Sequence, residues 1–242
     1  MITVKGLKIN YLVMGEGKPL LILHGWGSKS TNWKKVGEML IGRGVKVIIP
    51  DLPGFGQSQI PKTVWDLDDY ADFVRKFIKK LNLKDFYLLG HSFGGAVAVK
   101  YALNFPPKKL FLVSAACFRK SSFRKKTLKL ISKLFKIFSF IPYARKAFYK
   151  FIVKRSDYPL AQGVMKQIYL EAIKQDIGDS LDLIKTPTII IWGDKDKVTP
   201  LVQAHLINSK IKGSQLKIIP DADHDLNYKN SAELADLILK NS

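Results

Sequence analysis

Six short apolar runs, at 20–23, 45–49, 86–89, 110–113, 188–192 and 216–219, restrict the fold of this chain more than any other feature. Each is closed by turn residues, and segments of helical period lie between most of them, at 32–40, 67–81, 94–104, 201–207 and 231–239. Runs apolar on every position suit strands covered on both faces, which parallel strands are when helices connect them. The alternation therefore predicts an α/β fold with a mostly parallel central sheet and flanking helices. At the N-terminus, 2–4 and 7–14 read as a hairpin turning at Lys5-Gly6.

Between 113 and 188 no convincing strand pattern appears, only amphipathic and aromatic helical stretches broken at Pro142 and Pro159. The expected organisation is a core of 1–116 and 185–242 with a helical lid inserted at 117–184. By position the lid falls over the C-terminal ends of the strands, where open α/β sheets bind ligands. The net charge of +20 is concentrated there, with 13 basic residues and no acidic one between Cys117 and Arg155. Cys117 is the single cysteine, so no internal disulfide can form and nothing calls for an oxidising compartment. The first residues lack the apolar core and small-residue cleavage site of a signal peptide, and no charge-free apolar stretch reaches about 18 residues. The expected location is cytoplasmic, with a peripheral seat at a membrane left open.

Residues 87–98 read Y-L-L-G-H-S-F-G-G-A-V-A, a G-x-S-x-G pentapeptide with a strand pattern before it and a helix pattern after it. That context places Ser92 on a sharp strand-to-helix turn, exposed at the edge of the sheet, with glycines that let strand and helix pack closely. A serine hydroxyl is a poor nucleophile until a base takes its proton and a carboxylate orients that base. Of the four histidines, His24 precedes a glycine turn, His91 lies inside the pentapeptide and His205 falls in a surface helix. His224, in the loop after the last strand pattern, is placed to reach Ser92 from across the sheet edge. Two carboxylates, Asp194 and Asp196, follow the strand pattern at 188–192, and spacing alone does not choose between them.

H-G-W-G at 24–27, D-L-P-G-F-G-Q-S at 51–58, G-H-S-F-G-G at 90–95, W-G-D-K-D-K-V-T-P at 192–200 and D-H-D at 223–225 occur in the order nucleophile, acid, base. On these motifs, which span nearly the whole chain, it resembles the capped serine hydrolases of the α/β-hydrolase fold. The resemblance implies a carboxylic-ester hydrolase working through an acyl-enzyme, with Ser92 as nucleophile, His224 as base and Asp196, not Asp194, as its orienting acid. Similar proteins commonly have glycine where Asp223 stands. The resemblance further implies that the Trp26 N–H joins that of Phe93, next to the nucleophile at a helix start, as an oxyanion hole. Related epoxide hydrolases and dehalogenases carry aspartate at the position of Ser92, which speaks against those reactions. The stretch 51–58 reads as a structural turn. No cofactor or metal is called for.

The lid pattern leaves the substrate open. Lys126, Lys129, Lys133 and Lys136 repeat at helical spacing beside Leu128, Ile131, Phe135 and Phe138, an amphipathic pattern with one basic face. It suits a lid helix, an anionic membrane presenting a lipid ester, or an acidic acyl carrier protein. The motifs at 24–27 and 51–58 are similar to those of pimeloyl carrier-protein methyl ester esterases, whose lid receives such a carrier. Beside a small-molecule acyl ester, the alternatives are thus a thioester, a lipid ester at a membrane, and a non-catalytic binding protein on the same fold. No nucleic-acid module accompanies the charge.

Overall fold

The computed structural model describes residues 1–118 and 162–242. Residues 119–161 lie outside that description, and with them most of the expected lid, including Lys126, Lys129, Lys133 and Lys136.

Seven strands form the main sheet, in the order β3-β5-β4-β6-β7-β8-β9. They are β3 (Tyr11–Met14), β4 (Lys18–Leu23), β5 (Val45–Pro50), β6 (Tyr87–His91), β7 (Lys109–Val113), β8 (Thr188–Gly193) and β9 (Gln215–Ile219). All pairings are parallel except β3 against β5. Each expected run lies in one of the strands, except that Phe86 precedes β6. Alternate side chains serve opposite faces. Leu21, Leu23, Leu88, Leu110, Leu112 and Ile190 are buried in one core cluster, while Leu20, Ile22, Leu89, Phe111, Val113 and Ile191 are buried in the other.

The first face is covered by α2 (Leu67–Lys80), α3 (Phe93–Asn104) and α5 (Leu201–Lys210), the second by α1 (Lys34–Ile41), α6 (Leu226–Lys229) and α7 (Ser231–Lys240), while α4 (Gly163–Lys174) joins the first cluster and sets its Tyr169 ring against Trp26. In α2 the Asp66 side chain accepts from the Asp68 and Asp69 N–H groups, and the Asp69 carboxylate accepts from Asp66 N–H. Three orphan donors at the helix start are thereby satisfied. In α4 the side chains of Met165, Ile168 and Ala172 are buried, at the spacing of one helix face.

The N-terminal hairpin departs from expectation. Ile2–Val4 (β1) pairs with Leu7–Ile9 (β2) across Lys5 and Gly6, both at positive φ, but the run stops at Asn10 and does not continue to Met14 as one strand. Asn10 gives its N–H to Ser58 Oγ at 3.0 Å and its carboxamide to Asp51 at 2.9 Å. The turn after β5 takes those groups, and the chain resumes as β3 on the main sheet.

Chain connections diverge at β4. From it the chain passes to β5 on one side, then crosses back to β6 on the other. The loops leaving β4 and β6 therefore part at a crevice, with α1 behind one and α3 behind the other. A switch point of this kind is where an open α/β sheet holds a ligand.

Candidate active site

Ser92 sits between β6 and α3 with φ +52° and ψ −114°, in the left-handed half of backbone space that β-carbon-bearing residues avoid. The strain is held by neighbours: Ser92 N–H donates to Val113 O at 3.0 Å, and Ser92 O accepts from Ala116 N–H at 3.0 Å. Glycine is required on either side. A β-carbon on Gly90 would collide with the Gly94 carbonyl, and one on Gly94 with the Leu23 carbonyl at the end of β4.

His224 follows β9, and its Nε2 lies 3.0 Å from Ser92 Oγ while its Nδ1 lies 2.8 Å from Asp196 Oδ2. A carboxylate only accepts, so Nδ1 carries the proton and the Nε2 lone pair faces the serine hydroxyl. Asp196, in the loop after β8, is 4% exposed. Its Oδ1 accepts from the N–H groups of Val198 and Thr199, both at 2.8 Å, and its Oδ2 from Thr199 Oγ1 at 2.8 Å. Burial raises the affinity of this carboxyl for a proton, but His224 and the Thr199 donors outweigh it and hold the pKa below the ordinary carboxylate value. Asp194 is exposed and outside this network.

Three contacts hold these loops in place. Lys195 N–H donates to Ala222 O at 2.9 Å, and Trp192 Nε1–H to Thr199 O at 2.7 Å. The third was not singled out by the sequence: His91 Nε2–H donates to the backbone carbonyl of His224 at 3.1 Å. Burial, with the neighbouring His224, lowers the His91 pKa to about 3, so the ring is a neutral brace. His24 is neutral too, its pKa lowered by burial to about 4. Its Nδ1–H donates to Gly25 O at 2.8 Å and its Nε2 accepts Leu52 N–H at 2.9 Å.

Neither the Trp26 nor the Phe93 N–H donates to a protein acceptor among the described residues. The Trp26 indole packs edge-on against Phe55 (4.8 Å between ring centres), Phe93 (5.3 Å) and Tyr169 (5.0 Å). Asp51 is buried and accepts from Ser30 and Asn10, two segments that it ties to the turn at 51–58, and from Gln57 within that turn. Asp223 pairs with Lys229 and accepts from Asp225 N–H. His205 does not join the site. Among the described residues no group of three or more His, Cys, Asp or Glu is arranged to hold a metal ion.

A sequence profile described as alpha/beta hydrolase fold matches residues 18–148. The chain belongs to that family. Alpha/beta hydrolase relatives include the AB hydrolase superfamily protein YisY of Bacillus subtilis, 30% identical over 93% of this chain and 91% of its own. Lipase 1 of Psychrobacter immobilis is 28% identical over 90% of this chain and 75% of its own. Among solved structures, an esterase from Exiguobacterium antarcticum superposes with a TM-score of 0.77 at 23% identity, over 98% of this chain and 96% of that one, a likeness of fold.

Proposed function

We propose that this alpha/beta hydrolase cleaves carboxylic esters through an acyl-enzyme on Ser92. The observation that carries the reading is the unbroken line of hydrogen bonds Ser92 Oγ, His224, Asp196. His224 Nε2 takes the hydroxyl proton as Ser92 Oγ attacks the ester carbonyl. The tetrahedral oxyanion is met by the N–H groups of Trp26 and Phe93, and Asp196 steadies the imidazolium. His224 then returns the proton to the departing alcohol, and water repeats the sequence to free Ser92. The lipase and esterase among the similar proteins support an ester substrate. A thioester passes through the same acyl-enzyme.

The test is hydrolysis of nitrophenyl esters from two to sixteen carbons and of acyl thioesters, by wild type and Ser92→Ala. The reading expects turnover by wild type that Ser92→Ala abolishes with the fold intact. A folded wild type that turns over none of these compounds would mark a binding protein on an enzyme's fold.

A further inference from the structure

Ser92 and His224 open onto a cavity of about 340 Å³ that is also lined by Ser28, Asn32, Asn227 and Tyr228. In a chain of net charge +20, no lysine or arginine is among the described residues of its lining, whereas Asp225 takes part. Asn227, in α6, is 2% exposed. Its Nδ2 donates to the backbone carbonyl of Asn32 at 3.0 Å. That carbonyl can only accept, which fixes the orientation of the carboxamide and turns Oδ1 away from it. Oδ1 receives no hydrogen bond from the described residues, yet it is not among the polar atoms sealed inside the protein. Asn227 is one of the residues that line the cavity.

A nearly buried acceptor without a donor is a deficit that a ligand can make good. The chemistry at Ser92 says which part of the ligand this is. The alcohol oxygen must leave beside the histidine that reprotonates it, and Asn227 stands three residues beyond His224 in the same loop and helix. We propose that the cavity holds the alcohol portion of the ester, and that Asn227 selects alcohols carrying a further hydroxyl by accepting a hydrogen bond from it. The substrate class is then a monoester of a diol or polyol. Asp225 offers a second acceptor and disfavours an anionic leaving group. This inference rests on the serine-ester reading above.

Two acetate esters of equal heavy-atom count separate this role from mere space-filling: 2-hydroxyethyl acetate and propyl acetate. Wild type is expected to favour the hydroxylated ester in kcat/KM by about fivefold, the worth of one net hydrogen bond, and Asn227→Leu to bring the ratio to about one or reverse it. A cavity that reads only bulk and apolarity favours the propyl ester in both proteins, which would overturn the proposal. A competition on wild type needs no variant. With nitrophenyl acetate as acyl donor, the acetyl group passes from Ser92 to the oxygen of an added alcohol while His224 takes that alcohol's proton, and ethylene glycol should capture several times more of it than equimolar propan-1-ol. Equal or inverse capture sinks the proposal even if Asn227→Leu does not fold. Nitrophenyl acetate also keeps the two readings apart. If it is hydrolysed without a preference for the glycol, only the inference about Asn227 falls, and if it is not hydrolysed at all the serine-ester reading fails first.

Discussion

Asp196 and Asp194 are two residues apart in one turn, and the structure separates them by burial and by hydrogen bonding. The buried one accepts from two backbone N–H groups, a threonine hydroxyl and His224. Asp196→Asn would offer an amide N–H to the Nδ1–H of His224 or force the other tautomer, so kcat is expected to fall by about 10⁴-fold, the cost of the equivalent change in the best-studied serine triad. Asp194→Asn is expected to change kcat by less than about threefold. Steady-state kinetics on one ester measures both, and reversed costs would reject the assignment of Asp196. Spacing left these two residues equivalent because it carries no burial; only the motif as a whole chose between them. Thr199 stood in the quoted motif without a role. Its hydroxyl reaches the carboxylate because the Val198–Thr199 backbone folds back around Asp196 in a local turn, with contacts two and three residues on.

At the scale of elements, two neutral histidines brace the loops that meet at the crevice. His24 joins the loop after β4 to the one after β5 through Leu52, and His91 joins the serine turn to the His224 loop. Both have pKa values depressed by burial, to about 4 and about 3, against the ordinary histidine value of 6.5. Below pH 6.5 the unfolded chain binds protons at these positions that the folded chain refuses. Stability is therefore full above about pH 6.5 and is lost as pH falls towards those folded values. Between pH 6.5 and 5 each histidine is expected to cost on the order of 2 kcal/mol. This window lies above that of the depressed carboxylates Asp51, Asp72 and Asp196, whose contribution is lost below an ordinary pKa of 3.8. Urea unfolding at pH 7 and pH 5 measures the slope, and His24→Asn should flatten it by about half. An unchanged slope in that variant would mean that His24 is not the group responsible. The strands were legible because their apolar runs are continuous. The break at Asn10 was not, since it is imposed by Asp51 and Ser58, more than 40 residues away.

For the whole molecule, the switch point between β4 and β6 brings together residues from four separate loops, and the sequence showed their order but not their distances. The order Ser92, Asp196, His224 was readable because each follows its own strand. The orientation of the Asn227 carboxamide was not, because it depends on the Asn32 backbone 195 residues earlier. Charge belongs to this scale as well. With +20 overall and 13 basic residues in one stretch without acidic ones, hydrolysis of an ester presented on an anionic vesicle or an acidic acyl carrier protein is expected to fall as salt rises, while hydrolysis of a small neutral ester does not. Salt-independent rates on both presentations would leave the charge as a solvated surface. The central claim, that Ser92 is the nucleophile, is tested most directly by labelling with a fluorophosphonate and mapping the modified peptide by mass spectrometry. One equivalent on Ser92 in wild type and none on Ser92→Ala is the predicted result; labelling at another residue, or undiminished labelling of Ser92→Ala, would contradict it.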